Sequence, residues 1–443
     1  MSGPVGYARA AAKNEKDRSY CFQASIRRSF AAPLRRGQSG KDHPVTTISR
    51  RALLATALVT PAIARRAFAQ TKIMKIGAPL PLTGALAPEG LKQRRGYEIW
   101  ADAVNSAGGI NVGDDQVKIE LIYADYESNT PRAAQAVERM ITQGGVSAVF
   151  GPYGSGAVKA SSTVTERHQV PMLAPTASAR EVYDQGHKFL FGTLAPNDAV
   201  TIPLARFMLS AVPNLKRMAI LSRNDLFPLA LGQQMEQAAK QSNIEVASFQ
   251  RYPIGAMDHA SALTEMAATK PDWVFVTGYT NDLILVRRQM HELKFTARAI
   301  TMLTGPSYKE FIDALGPLAE RISSVSWWEP VLPYRGVGPF PTSEDYAKAF
   351  TTRYNVVPDY GEASSTACAV VLQKAAEKAR SIEPVALRDA LAGLEVLTFY
   401  GPIKFGPSGQ IVSQKCPVFQ LQGGKRVIVA PADLRQGDLQ IIS

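Results

Sequence analysis

This chain is poor in the residues that build metal and redox sites. Of 443 residues only three are cysteine and five are histidine. That excludes a disulfide scaffold and a cysteine-rich metal centre. Hydrophobic content of 46% with 20% charged residues excludes a disordered or collagen-like chain. The apolar run at 52–64, ALLATALVTPAIA, has thirteen residues and contains Pro61, whereas a bilayer-spanning helix needs about 20. The net charge of +12 is unevenly placed. Residues 1–69 hold thirteen Lys and Arg against three Asp and Glu, and residues 70–443 hold 37 against 35. The basic excess sits ahead of the body, so no nucleic-acid partner is expected.

Catalytic motifs are missing as well. Gly151-Pro152-Tyr153-Gly154-Ser155-Gly156 has the glycines of a phosphate loop, but Ala157 and Val158 stand where Lys and Ser/Thr are required. No serine has glycine at both −2 and +2, which removes the nucleophile elbow. His168, His187, His259 and His291 are scattered, with no HExxH and no Cys-x-x-Cys. The expectation is a binder without catalytic residues, metal or cofactor.

What the chain does have begins with Arg50 and Arg51, directly ahead of the apolar run. Ala67-Phe68-Ala69 follows as an A-x-A cleavage site. The order resembles a twin-arginine export signal. Residues 1–69 therefore read as an N-terminal extension plus signal peptide, cleaved near Ala69 on export to the periplasm. Residues 1–44 show no hydrophobic periodicity, and a start near Val45 leaves a signal of about 25 residues, within the usual span.

From residue 72 onward, apolar runs and helical stripes alternate. Strands are expected at 73–79, 117–123, 146–150, 170–174, 217–222, 245–252, 273–277, 299–303 and 322–326. Helices are expected from about 90 to 105, after 129, at 156–167, and near 228–242, 259–269, 281–293 and 307–315; the second is signalled by Asn129 as N-cap, Pro131 in its first turn, and a stripe of Ala134, Val137, Met140 and Ile141. Helices at 343–354 and 364–380 precede short strands at 400–405, 417–421 and 426–429. This pattern predicts an α/β protein with two doubly wound parallel-sheet lobes. Cys368 in a helix and Cys416 before a strand read as small buried apolar residues and not as a bridge.

Ligands of open parallel sheets bind beyond the carboxyl ends of the strands. Two junctions carry suitable groups. At 151–156 glycines admit close backbone approach, and Ser155 sets a hydroxyl beside helix N–H groups, a carboxylate-sized anion site. At 174–178 Thr176 and Ser178 supply two more hydroxyls. The same side chains serve equally well as N-caps.

Further motifs run in one order. They are Pro79-Leu80-Pro81-Leu82-Thr83-Gly84, Gly96, Asn105 with Gly108-Gly109-Ile110, the 151–156 and 174–178 segments, 271–279, and Gly401-Pro402 with Phe405. Over 72–432 the chain resembles the leucine/isoleucine/valine-binding proteins, the type I periplasmic solute-binding proteins of bacterial ABC importers. The resemblance implies two lobes joined by three crossovers, near 193–197, 327–330 and 405–411. Lobe one is then 72–194 plus 329–406, lobe two 197–326 plus 412–432, and 433–443 a tail. It implies a monomer that holds a small molecule between the lobes and delivers it to permease subunits. A ligand-sensing regulatory module of the same fold is the alternative.

The resemblance also implies roles. Ser155 and the small-hydroxyl stretch at Ala177 and Ser178, beside Thr176, hold a ligand carboxylate on lobe one, and Tyr153 in the loop of Ser155 is a further ligand-binding candidate. Phe227 and Tyr279 close over it from lobe two, and Trp327 lines the crossover. The family's lobe-two glutamate for the ligand ammonium falls here near 302–304, where no acid exists. Asp282, Glu89 and Glu362 are the candidates to replace it. The ligand is accordingly an amino acid, an amide, or an aromatic or aliphatic acid.

The export signal makes a direct prediction. Changing Arg50 and Arg51 together to Lys should block export, because an ammonium cannot reproduce the planar guanidinium fork. Immunoblots of periplasmic and cytoplasmic fractions measure it, and export of the double variant at wild-type level refutes the assignment.

Overall fold

The computed structural model describes residues 72–412 and 414–442. The N-terminal extension and export signal expected at 1–69 lie outside these residues. Among the described residues the fifteen strands are β1 (Lys72–Leu80), β2 (Ile110–Val112), β3 (Asp115–Asp125), β4 (Ala148–Phe150), β5 (Met172–Ala174), β6 (Leu190–Gly192), β7 (Arg217–Arg223), β8 (Glu245–Tyr252), β9 (Trp273–Thr277), β10 (Ala299–Leu303), β11 (Ile322–Val325), β12 (Glu395–Thr398), β13 (Gly401–Lys404), β14 (Val418–Gln422) and β15 (Lys425–Ala430). They form two main sheets and a ribbon.

The first sheet has the order β2-β3-β1-β4-β5-β6, parallel except for β2. The second has the order β15-β14-β11-β10-β9-β7-β8, parallel from β11 to β8, with β14 and β15 antiparallel at one edge. In both sheets the central strands are covered on both faces. Every residue of β4, β9, β10 and β11 is buried, as parallel strands packed under helices on both sides must be. The two lobes expected from the alternation are present, and three crossovers join them. β12 and β13 form a separate antiparallel ribbon.

The crossovers are tied to one another by hydrogen bonds. Gln410 Nε2 donates to the carbonyls of Ser178 at 3.2 Å and Leu194 at 3.4 Å. Trp327 Nε1 donates to the Ala195 carbonyl, and Gln414 Nε2 donates to the Trp327 carbonyl. Three backbone segments that would otherwise bury unpaired polar groups satisfy each other.

Some elements differ from the expectation. The helix capped by Asn129 spans Thr130–Thr142, with the Asn129 side chain accepting from Arg132 N. Its buried stripe is Ala133, Ala136, Val137 and Met140, leaving Ala134 and Ile141 half-buried. β6, the helix Asp198–Ala211, the helix Pro384–Ala392 and β12 carry no expectation from the sequence. β6 and β12 are three and four residues long, too short for a periodic signal. The expected helix at 364–380 starts earlier, as Tyr360–Ala379, where Asp359 and Glu362 form a capping box. Cys368 and Cys416 are unpaired.

Lobe one depends on a close helix crossing between Ala87–Ser106 and Tyr360–Ala379. A Cβ on Gly96 would lie 2.4 Å from the Glu362 carbonyl oxygen and 2.8 Å from Ser365 Cβ. Thr366 Oγ1 also donates to the Gly96 carbonyl at 2.7 Å. Gly96→Ala should therefore force the helices apart and cost about 1–3 kcal/mol, the range for overpacking. Urea unfolding measures it, and unchanged stability would refute this packing.

Candidate functional site

In each sheet the strand order reverses once, at β1 and β4 in the first and at β7 and β9 in the second. Such switch points open a crevice beyond the strand ends. The chain leaving β4 carries Tyr153 and Ser155, and the chain leaving β5 carries Thr176, Ala177 and Ser178. Glu89 and Lys92 follow β1 in the helix Ala87–Ser106. From the second sheet, Arg223 ends β7 and Phe227 follows it; Tyr279 and Thr280 follow β9, and Tyr308 follows β10. All of these side chains are buried.

On the lobe-one side, Gly154 at φ 86 precedes the helix Ser155–His168, a conformation that favours glycine. The first helical amides have no intrahelical acceptor and point out of the turn. Ser155 Oγ accepts from Ala179 N at 3.3 Å, which leaves its proton free to donate. Thr176 Oγ1 accepts from Gly154 N at 3.4 Å. Ser178 Oγ donates to Asn197 Oδ1 at 2.6 Å, toward the crossover. The Ala177 carbonyl accepts from the Tyr183 hydroxyl.

The facing side is aromatic. Tyr279 lies 5.8 Å from Tyr153 and 6.1 Å from Phe227, ring centre to ring centre. Trp327 lies 6.5 Å from Phe227 and 4.9 Å from Tyr360. The Tyr308 hydroxyl donates to that of Tyr360 at 2.9 Å and stands 3.4 Å from that of Tyr153. Trp328 points elsewhere, stacking edge-on against Tyr346 and Phe399.

Polar groups also meet across the cleft. Thr280 Oγ1 donates to Glu89 Oε1 at 2.8 Å, and Asn281 Nδ2 donates to the Ala85 carbonyl at 3.3 Å. Lys92 Nζ sits 2.8 Å from Asp359 Oδ2 and 3.1 Å from Glu310 Oε2, with the Tyr308 ring 4.6 Å away. Burial works against the Lys92 charge, but Asp359, Glu362 and Glu310 together raise its pKa. Burial pushes the Glu89 carboxyl above its ordinary range, opposed in part by the Thr280 hydroxyl.

The three carboxylates expected to meet a ligand ammonium are not equivalent. Asp282 Oδ2 lies 2.7 Å from Arg223 Nη1 and accepts from Tyr279 N at 3.1 Å. It caps the helix Thr280–Glu292 and neutralises an arginine, so it has no charge to spare for a ligand. Glu362 accepts from Asp359 N at 2.9 Å and faces Arg95 at 3.8 Å, which occupies it in the capping box. Only Glu89 keeps a buried oxygen, Oε2, without a partner. Asp282 and Glu362 thus stand in this arrangement already paired within the protein.

Lys92, Arg223, Tyr308 and Tyr360 join the site without having been expected there. Glu89 and Lys92 stand one helical turn apart, which is the signal that the sequence offered. Arg223 also covers the Tyr279 ring at 4.8 Å and approaches Asp225 at 3.4 Å. Burial raises the Asp225 carboxyl to about 6, against the pull of Arg223.

Two lobes with their strand ends facing across an aromatic and hydroxyl-lined cleft define a solute-binding architecture. The sequence profile of the periplasmic binding protein family matches residues 73–425, and the chain belongs to that family. The family is one of binding proteins and not of enzymes. The chain is 26% identical over 373 residues to Leu/Ile/Val-binding protein homolog 8 of Brucella abortus, covering 81% of this chain and 90% of that protein. Its fold matches the branched-chain amino acid transporter substrate binding protein LivJ of Streptococcus pneumoniae, solved with isoleucine. That match has TM-score 0.72 and 23% identity, over 81% of this chain and 100% of the other. An ABC transporter solute binding protein of R. palustris, solved with benzoate, matches with TM-score 0.70 and 20% identity, over 81% and 96%.

Arg223 is the counter-charge for two half-buried acids and the outer support of Tyr279. Arg223→Met should cost about 1–3 kcal/mol, because Asp225 and Asp282 stay behind unpaired but partly solvated. Arg223→Lys should restore only part of this, lacking the fork. Chemical denaturation of both variants measures it; wild-type stability of Arg223→Met would show the pairs to be unimportant.

Proposed function

We propose that this protein is an exported receptor that captures a small carboxylate-bearing molecule between its lobes and presents it to the permease of an ABC importer. Lobe one comprises 72–194 and 329–406, and lobe two 197–326 and 412–432. The observation that carries the reading is the pairing of edges. A helix N-terminus with the free Ser155 proton lies on one side, and the Phe227 and Tyr279 rings lie on the other. The first suits an anion, and the second suits an apolar or aromatic body. Isoleucine and benzoate, held by the two structural relatives, share a carboxylate on an apolar frame.

The lobes work as a two-state device. A ligand that touches both lobes favours the closed arrangement by its differential affinity. The residues act as clamps on the ligand and carry out no turnover. In this reading the molecule travels as a monomer through the periplasm.

Small molecules released from the purified protein and identified by mass spectrometry supply the ligand. Adding it back should reduce the radius of gyration in small-angle scattering. Ser155→Ala should remove one charge-assisted hydrogen bond, about 1.5–3 kcal/mol, and weaken binding roughly tenfold to a hundredfold. Unchanged dimensions at saturation, or unchanged affinity in Ser155→Ala, would refute the reading.

A further inference from the structure

His259 is a buried base with nothing to bond. It is 2% exposed, and neither Nδ1 nor Nε2 has a hydrogen-bond partner. By contrast, His168 Nε2 lies 2.8 Å from Glu138 Oε1, and His187 Nδ1 lies 3.2 Å from Ser162 Oγ. A neutral imidazole has one N–H and one lone pair, whereas the imidazolium has two N–H groups and a charge. Protonation therefore adds an unmet donor and an ion to a site already short of partners.

Its neighbours are apolar or engaged. The ring stands edge-on to Tyr252 at the end of β8, 4.7 Å from ring centre to ring centre. Two acids pull on it, Asp282 from the helix Thr280–Glu292 and Asp258 from its own loop. Burial outweighs both and holds its pKa below the ordinary histidine value. Asp282 is committed to Arg223 and to Tyr279 N, and Arg223 also approaches Asp225. Glu265, on the helix Ala260–Ala268, is turned to Gln250. Arg287 and Arg288 donate to the carbonyls of Leu318 and Ala314.

The loop that ends at His259 has few other anchors. No residue between Tyr252 and His259 is buried, and Ile254 and Met257 are 61% and 77% exposed. Gln289 ties the loop to the neighbouring helix. Its Oε1 accepts from His259 N at 2.7 Å, and its Nε2 donates to the Met257 carbonyl at 3.1 Å. Tyr252, beneath the His259 ring, in turn backs the cleft. Its hydroxyl donates to the Thr277 carbonyl, and a Cβ on Gly278 would lie 2.2 Å from that hydroxyl. Tyr252 thus sets the turn that delivers Tyr279.

We propose that His259 is an acid-sensitive latch of lobe two: its neutral ring pins the 253–259 loop over Tyr252, and protonation expels the ring and releases the loop. The folded chain favours the neutral ring. The latch is therefore complete above the ordinary histidine value of about 6.5 and is lost as pH falls through the lower folded value. Release removes the cover from Tyr252, so acid loosens lobe two behind Tyr279. This goes beyond the receptor reading and does not depend on it.

Hydrogen exchange of the purified protein, read by mass spectrometry at pH 7.5 and 5.0 and corrected for intrinsic rates, tests the latch. In wild type, peptides across 252–260 should lose protection at least about threefold at pH 5.0. His259→Phe keeps an aromatic edge against Tyr252 and cannot titrate, so it should show no such loss. Unchanged protection in wild type, or an equal loss in folded His259→Phe, overturns the proposal. The wild-type ring is also titrated by NMR, its signal identified by its nuclear Overhauser contact with the Tyr252 ring. Its midpoint should fall below about 6.5. A midpoint at or above that value overturns the proposal even where the variant does not fold.

Discussion

A parallel strand delivers side chains into a cleft only where its hydrogen-bond ladder stops, and here two sets of ladders stop facing each other. The reversal of strand order at β1/β4 and at β7/β9 leaves a crevice at each edge. Most groups of the candidate site then follow from position in the chain. Lobe one contributes the turn at Gly154, the hydroxyls and the helix bearing Glu89 and Lys92. Lobe two contributes the rings that follow β7, β9 and β10. The crossovers keep these two edges opposed by exchanging hydrogen bonds with one another through Gln410, Gln414 and Trp327.

Opposed polar edges raise a desolvation cost, and the cleft meets it mostly with local pairing. Lys92 is surrounded by Asp359 and Glu310, and Arg223 by Asp225 and Asp282. Such pairs add little net stability, because removing two charges from water offsets much of their attraction. Their effect is geometric. Lys92 spans from lobe one to Glu310 of lobe two, and Arg223 backs the Tyr279 ring, so both set where the aromatic surfaces stand.

Much of this was legible in the sequence. Alternating apolar runs and capped helices gave away the two doubly wound lobes, because strands such as 273–277 and 299–303 are buried on both faces and read as unbroken apolar runs. Ser155 stands out because it opens a helix just beyond such a run, whereas Tyr279 enters only through the family resemblance. β6 and β12 were lost to their length, and the helix Asp198–Ala211 carries Pro203 inside it, which reads as an interruption. Tyr360 was hidden for another reason. It reaches the cleft through chain packing, and nothing in its neighbours along the sequence distinguishes it from an ordinary core tyrosine.

Asp282 and Glu89 show that helical position alone does not fix what a carboxylate meets. An acid three residues after Tyr279 looks poised to accompany it into a cleft, but three residues is also the interval from N-cap to N3. The backbone N–H of Tyr279 and the guanidinium of Arg223 take up that carboxylate, so the local need outranks the distant one. Glu89 stands in the first turn of its helix too, yet its side chain reaches Thr280 on the other lobe. The two acids have the same chemistry and similar helical positions. What separates them is where their donors come from: Asp282 is paired within its own lobe and Glu89 across the cleft, and the second contact becomes visible only when both lobes are in place.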